Sequence, residues 1–247
     1  SHRRHSSTVG VTNFLPSFMG THLEKEIKAL EGVLNNPNKP VAAIIGGSKV
    51  STKIDVINFL LKKMDIIIIG GAMANTFVAA KGLDVGKSLF EKECIDLAKE
   101  LIEKSQNNNC NLILPTDFIV SKNLKKNAEY TTTNFDSMPH NMMALDIGPK
   151  SIELINKNIN NCKTILWNGP LGAFETYPFD KGTNKVASHV SSLTKQKKIL
   201  SVAGGGDTVS ALNNAKVLND FSYVSTAGGA FLEWLEGKVL PGIEPIS

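Results

Sequence analysis

Short apolar runs recur along the chain, and each ends in glycine, proline or polar residues. They are VAAIIGG (41–47), DIIIIGG (65–71), NLILPTD (111–117), KTILWNGP (163–170), ILSVAGGG (199–206) and SYVSTAGG (222–229). Apolar runs without polar alternation are typical of strands that are buried on both faces of a sheet. The pattern therefore predicts six buried strands.

Segments with apolar residues at helical spacing lie between these runs. The clearest are STKIDVINFLLKK (51–63), FEKECIDLAKELIEKS (90–105) and TNKVASHVSSLTK (183–195), and a charged helix over 21–34 precedes the first strand. Strands that alternate with helices predict an α/β fold, a Rossmann-like three-layer sandwich whose mostly parallel sheet is wrapped by helices. Residues 116–146 break the alternation and predict a small antiparallel excursion or a long loop.

Composition narrows the possible partners. The 247 residues are 42% hydrophobic and carry a net charge of only +4, with short lysine runs at 122–126 and 195–198 that lack interleaved aromatic residues. We therefore expect no nucleic-acid partner.

Three cysteines without a CxxC spacing argue against zinc and suit a reducing cytoplasm. No apolar run approaches the ~20 residues of a membrane span, so no membrane partner is expected. Because the chain begins with a cation-rich segment and no Met, we expect it to be part of a longer protein.

Glycines cluster where the predicted strands end. Five of the six runs finish this way, at Gly46–Gly47, Gly70–Gly71, Asn168–Gly169, Gly204–Gly206 and Gly228–Gly229. Ligands of open α/β sheets bind outside the carboxyl ends of the strands, where free N–H groups at helix N-termini attract anions. A single glycine-rich turn is usually only tight packing, but the repetition and the surplus of three consecutive glycines predict close approach of a phosphate-bearing ligand.

Charged residues beside these glycines favour a nucleotide. Lys49 and Lys53 are four residues apart near the predicted start of a helix, where a cation opposes the helix dipole unless an anion binds there. Asp207, after the triple glycine, is either a helix N-cap or a ligand of Mg²⁺ beside phosphates. GLDVGKS (82–88) is one residue too short for a Walker A loop, and GGGDTV lacks the last glycine of a dinucleotide motif. The residues thus favour a mononucleotide with Mg²⁺.

Taken together, these residues resemble one family, the phosphoglycerate kinases. The matching stretches are GGSKVSTKI, IIGGAMANTF, VGKSLFE, ILWNGPLGAFE, AGGGDTVSAL and STAGGAFLEWLEGKVLPG, which follow the family's order from about residue 40 onward. The opening HRRHSSTVG resembles the end of the family's N-terminal domain. The resemblance implies phosphoryl transfer between 1,3-bisphosphoglycerate and ADP, giving 3-phosphoglycerate and ATP, in a monomeric, two-lobed glycolytic enzyme of the cytoplasm.

The resemblance also implies a domain organisation and a set of site residues. Residues 1–20 would be a remnant of the phosphoglycerate-binding domain, 21–40 an interdomain helix and linker, and 41–247 the nucleotide-binding domain. Catalytic roles fall to Lys53, Gly206 and Gly229. Nucleotide contacts fall to Gly47, Lys49, Lys53, Gly71, Leu89, Leu145, Asn168, Glu175, Gly205, Gly206, Asp207 and Thr208. Asp207 would hold Mg²⁺, and Arg3 would bind the acid substrate.

Within this set, Lys53 would meet the moving phosphoryl group and Lys49 the resting nucleotide. Ala72, Ala144 and Ala227 depart from the family, in which many members carry glycine at these positions. An alanine at 227 fits easily only if its φ is negative. A kinase that works by positioning is the leading hypothesis. Nucleotide binding without turnover by this chain alone is the alternative, and an NAD-dependent dehydrogenase is disfavoured by the absent dinucleotide motif.

Overall fold

The structure, a computed structural model, describes residues 2–246 and is built on a six-stranded parallel sheet. In chain order the strands are β1 (Val41–Ile45), β2 (Ile66–Ile69), β3 (Asn111–Ile113), β4 (Asp117–Ser121), β5 (Thr131–Asn134), β6 (Met143–Ile147), β7 (Thr164–Asn168), β8 (Leu200–Ala203) and β9 (Tyr223–Val224). The main sheet has the order β3-β2-β1-β7-β8-β9, and all of its pairs are parallel. The six predicted strands are therefore confirmed, but the prediction that all six are buried is wrong for the edge strands β3 and β9, which are partly exposed.

Helices cover both faces of this sheet. They are α1 (Thr21–Leu34), α2 (Ile54–Leu60), α3 (Met73–Ala80), α4 (Ile95–Asn107), α5 (Pro149–Ile159), α6 (Lys181–Lys195), α7 (Gly206–Asn214) and α8 (Gly229–Leu235). One apolar cluster joins the sheet to α1–α4 and α8, and a second joins it to α5–α7. Every side chain of β1 is fully buried because alternate residues enter the two clusters. The predicted three-layer sandwich is confirmed.

The segment that breaks the alternation folds as a small antiparallel sheet. Its three strands have the order β5-β4-β6, and Phe118 and Val120 of β4 pack on Val78 and Val85 from α3 and the loop after it. This sheet lies beside the main sheet near the carboxyl ends of its strands, where it can form one wall of a cleft.

Two helix boundaries differ from the sequence-based prediction. Lys53 has φ −123° and ψ 2°, so α2 begins only at Ile54 and residues 51–53 form a turn. A 3₁₀ turn at Lys92–Cys94 precedes α4, which starts at Ile95 rather than within 90–94. Helix α1 has the predicted bounds of 21–34, and its apolar residues pack into the core beneath the main sheet.

The segment before α1 is mostly exposed. A short 3₁₀ helix at Gly10–Asn13 is its regular element, and the side chains of Phe14 and Phe18 are 85% and 88% exposed. The division at residues 20 and 40 remains a prediction, and residues 1 and 247 lie outside the described residues. Across residues 2–246, each helix is too short or too polar to traverse a bilayer.

Candidate nucleotide site

A cleft of about 370 Å³ opens at the carboxyl ends of β1, β2 and β7. The residues that follow these strands form its floor, and β4 and β6 of the small sheet form the facing wall. Six of the residues predicted to contact nucleotide line it: Gly47, Gly71, Leu89, Leu145, Glu175 and Asp207. The cleft therefore lies at the edge of the sheet where the sequence predicted a ligand.

One end of the cleft is apolar. Leu89 and Leu124 are 59% and 51% exposed, and the half-buried Met143 and Leu145 of β6 lie on the same lining. A largely apolar slot with few polar groups suits a flat aromatic ring. Sequence reasoning found Leu89 and Leu145 but missed Leu124 and Met143, because nothing in their local sequence separates them from ordinary loop and strand residues.

Asn168, at the end of β7, does not line the cleft but bonds to two groups beside it. The Lys53 ammonium group donates a hydrogen bond to Asn168 Oδ1, and Asn168 Nδ2 donates to the Gly204 carbonyl at 2.7 Å. Asn168 is only 2% exposed, so its amide is committed to internal bonds. The structure thus places Asn168 as a support for Lys53 and for the glycine loop.

Lys53 is half-buried and Lys49 is exposed, and neither is among the residues that line the cleft. Burial lowers the pKa of Lys53, and the negative charges of Asp207 and Glu236 oppose this shift. Both lysines precede Ile54, the first residue of α2, so neither lies within the helix. Lys53 ends the turn of residues 51–53, and Lys49 lies in the loop before it.

The three consecutive glycines, Gly204 to Gly206, lie in three different surroundings. A Cβ on Gly204 would lie 2.7 Å from the Phe231 ring, and a Cβ on Gly205 would lie 2.6 Å from Asn168 Nδ2. Gly205 also has φ +96°, and it is the N-cap of α7. A Cβ on Gly206 would meet no atom within 4 Å. Packing and backbone conformation thus explain Gly204 and Gly205, whereas no contact within the chain explains the glycine at position 206.

Asp207 lies exposed in the first turn of α7. The alternative that it is the N-cap is wrong, because Gly205 occupies that position and no side chain caps this helix. Thr208 is buried, and its hydroxyl oxygen accepts a hydrogen bond from the Gly169 N–H at 2.7 Å. Thr208 thus ties α7 to the end of β7, and its hydroxyl proton is still available for donation.

The described residues contain no cluster of three or more His, Cys, Asp or Glu side chains that could hold a metal alone. A lone exposed carboxylate at a helix N-terminus nevertheless fits Mg²⁺, which commonly takes one or two carboxylates and completes its shell with phosphate oxygens and water. Asp207 and Glu175 are the exposed carboxylates among the residues that line the cleft, and Asp207 is the one at a helix N-terminus.

The start of α8 lies close to the N-terminal segment. Gly228 has φ +56°, and an added Cβ there would meet no atom within 4 Å. The His2 ring lies 3.4 Å from the position of a Cβ on Gly229. Ala227 has a negative φ, so it sits without backbone strain. Arg3 is exposed and does not line the cleft.

Asp146 of β6 is a cleft residue that sequence reasoning missed. It is 3% exposed, and its carboxylate accepts hydrogen bonds from the Gly182 N–H at 2.6 Å and the Ile147 N–H at 2.9 Å. Burial raises the pKa of Asp146 to about 8, although these hydrogen bonds act in the opposite direction. Asp146 joins the wall of the cleft to the start of α6, a long-range contact that has no signal in the local sequence.

Comparison with known proteins gives the family directly. The family model described as phosphoglycerate kinase matches residues 1–238. The chain belongs to the phosphoglycerate kinase family. It is 51% identical over 244 residues to the phosphoglycerate kinase of Rhizobium meliloti and 53% identical over 244 residues to that of Brucella melitensis. These matches cover 99% of this chain but only 61% and 62% of the two relatives.

Solved structures of phosphoglycerate kinases agree with the fold. The Coxiella burnetii structure has a TM-score of 0.95 at 44% identity, and the Pyrococcus horikoshii structure has a TM-score of 0.82 at 28% identity. Each match covers 99% of this chain, and 62% and 61% of the respective solved chain. Ala72 and Ala144, two of the positions at which glycine was expected from the resemblance, both line the cleft.

The glycine loop yields a matched pair of substitutions. We expect Gly205→Ala to lower the free energy of unfolding by about 2 kcal/mol, because alanine is strained at positive φ and its methyl group would displace Asn168. Gly206→Ala should stay within about 0.5 kcal/mol of the parent protein, because its methyl group meets open space. Urea denaturation without ligand measures both values.

Nucleotide titration then completes the comparison. Gly206→Ala should bind ADP several-fold more weakly than the parent despite its unchanged stability, since the methyl group occupies the space proposed for a phosphate. A Gly206→Ala variant with unchanged ADP affinity would show that this space is not used.

Proposed function

We propose that this chain is the nucleotide-binding portion of a phosphoglycerate kinase, which transfers a phosphoryl group between 1,3-bisphosphoglycerate and ADP. The observation that supports it most is the cleft, whose lining includes an apolar slot and Asp207. Gly206 precedes Asp207 at the start of α7, and Lys53 Cε lies 4.0 Å from the position of a Cβ on Gly47, which lines the cleft. The adenine ring would occupy the slot between Leu89 and Leu145. The phosphates would then reach the N-terminus of α7.

The proposed chemistry needs positioning and charge neutralisation more than a base. A β-phosphate oxygen of ADP attacks the phosphorus of the acyl phosphate, and the bond from phosphorus to the carboxyl oxygen breaks, leaving 3-phosphoglycerate and ATP. No proton has to move in this exchange. Lys53 would neutralise the phosphoryl group in flight, and the N–H groups at the start of α7 would receive phosphate oxygens.

Magnesium would be held by Asp207 together with phosphate oxygens. When bound, the ion would supply positive charge that shields the phosphates from one another. The residues of the chain would do the rest: Lys49 would hold the resting nucleotide, and Asn168 would aim Lys53. Glu175, exposed on the rim of the cleft, would contact the ribose.

The remaining parts of the proposal concern the enzyme as a whole. We propose that it is a cytoplasmic monomer without nucleic-acid or membrane partners. The acid substrate would be bound chiefly by the family's N-terminal lobe, with Arg3 as a contributor. Because this chain corresponds to about 61% of its relatives' length, we propose that the 247 residues alone bind nucleotide but are inactive as a kinase.

Amide chemical shifts of the ¹⁵N-labelled chain test the location of nucleotide binding. On titration with Mg-ADP we expect saturable shifts at Gly47, Gly71 and Gly206, at the carboxyl edge of the sheet. Gly32, within α1, and Lys163, at the amino end of β7, serve as controls that should not move. Shifts confined to the control side, or none at saturating nucleotide, would refute the proposed site.

A further inference from the structure

Glu91, between α3 and α4, contacts the turn that carries both lysines. Its Oε2 accepts a hydrogen bond from the Ser51 N–H at 3.0 Å, and its Oε1 accepts one from the Ser51 hydroxyl group. Ser51 lies between Lys49 and Lys53. A carboxylate thus occupies the N–H groups before α2, in the region where the lysine pattern predicted an anion.

The charge of Glu91 is stabilised by the turn it contacts. Burial alone would raise the pKa of Glu91, but hydrogen bonds from Ser51 and from the Val50 N–H, with the charge of Lys49, bring it below its ordinary value. The carboxylate is therefore ionised at neutral pH. Because it takes both donors of Ser51, it restricts the conformations open to the turn.

The backbone around Glu91 is anchored separately to α3. The Glu91 N–H donates to Thr76 Oγ1 at 3.1 Å, and Asn75 Nδ2 donates to the Leu89 carbonyl at 3.0 Å. Asn75 and Thr76 are both buried. The segment that carries Leu89, a wall of the apolar slot, thus keeps its anchor when the Glu91 carboxylate is removed.

We infer that Glu91 is a positioning residue for the phosphate end of the site, holding the turn of residues 49–53 so that Lys49 and Lys53 face the nucleotide phosphates. Glu91 does not line the cleft, so it acts through the turn rather than by contact with the nucleotide. The inference rests on the proposed function. It gives the two ends of the site different supports, since Glu91 fixes the position of the lysines while α3 anchors the segment that carries Leu89.

The test compares ADP, which has phosphates, with adenosine, which has none. In Glu91→Ala we expect the Kd for Mg-ADP to rise five- to tenfold and the Kd for adenosine to stay within twofold of the parent. The Kd of Glu91→Gln for Mg-ADP should lie between those of the parent and of Glu91→Ala, because the glutamine carbonyl can still accept a hydrogen bond from Ser51 but carries no charge. Glu93→Ala is the control, because Glu93 is exposed on the same segment.

NMR titration of the 247-residue chain measures both ligands, and thermal melting checks that each variant is folded. An unchanged Kd for Mg-ADP in Glu91→Ala, or equal losses of affinity for ADP and for adenosine, would overturn the inference. If Glu91→Ala fails to fold, Glu91→Gln is compared with Glu93→Ala. We then expect Glu91→Gln to lose two- to fivefold in affinity for ADP and none for adenosine. Failure of the parent chain to bind ADP would instead overturn the proposed function.

Discussion

Replacing Lys53 by alanine is expected to lower kcat by about 10²- to 10³-fold, while the Kd for Mg-ADP changes only a few-fold. Lys53 is half-buried, and its ammonium group donates a hydrogen bond to Asn168 Oδ1. A cation that gains its main partner only in the transition state contributes to kcat rather than to ground-state binding. Its lowered pKa reflects a desolvated position, where neutralising a phosphate is worth most.

Lys49→Ala is the matched control on the same turn. Lys49 is exposed and is proposed to hold the resting nucleotide, so its removal should weaken ADP binding several-fold with a smaller effect on kcat. The measurements are an equilibrium ADP titration and a steady-state rate for each variant. They require a chimera in which the N-terminal lobe of the Brucella melitensis relative precedes this chain. Loss of ADP binding with a normal saturated rate in Lys53→Ala would contradict the assigned roles.

Replacing Asp207 by alanine is expected to weaken ADP binding by about tenfold or more in magnesium, and only slightly in EDTA. A tenfold change corresponds to about 1.4 kcal/mol, within the range for one charged ligand of a bound ion. Gly205, not Asp207, is the N-cap of α7, so the substitution should leave the melting temperature of the free chain nearly unchanged. Calorimetric titration in the two buffers measures the difference.

Asp55 provides a control for the general effect of removing an acidic residue from a helix start. It is exposed in the first turn of α2 and does not line the cleft. Asp55→Ala should bind ADP like the parent in both buffers. If Asp207→Ala loses the same factor of ADP affinity with and without magnesium, the carboxylate acts on the helix or the loop rather than on the ion.

The sequence predicted the main sheet well because its signals are local. The β1 run VAAII is apolar throughout, and its complete burial follows from its position in the middle of a sheet that is covered on both faces. The small antiparallel sheet was predicted only as one of two alternatives. Its strands alternate less regularly, and β5 is largely exposed, so composition does not distinguish it from a loop.

Local signals also predicted part of the site, but not the contacts between residues distant in sequence. Glycine, lysine and aspartate at strand ends are visible in sequence, and the structure brings Gly47, Gly71 and Asp207 into one cleft. The contacts of Asn168 with Lys53 and of Glu91 with Ser51 join residues 115 and 40 positions apart. Such pairs depend on how the strands are ordered in the sheet, which a single sequence does not specify.

The triple glycine shows the limit of inference from residue type. All three glycines were read as room for a ligand, but Gly204 and Gly205 are required by Phe231, by Asn168 and by a positive φ. Gly206 alone retains the original explanation. Packing partners that are distant in sequence thus account for two glycines that seem in sequence to belong to the ligand.

A coupled assay of phosphoryl transfer, run on this chain alone and on the chimera with a phosphoglycerate-binding lobe, tests the central claim most directly. We expect the chimera to turn over 1,3-bisphosphoglycerate and Mg-ADP, and the chain alone to be inactive although it binds Mg-ADP. Turnover by the chain alone at a rate near that of a full-length relative would contradict the account. So would a folded chimera that binds Mg-ADP but transfers no phosphoryl group.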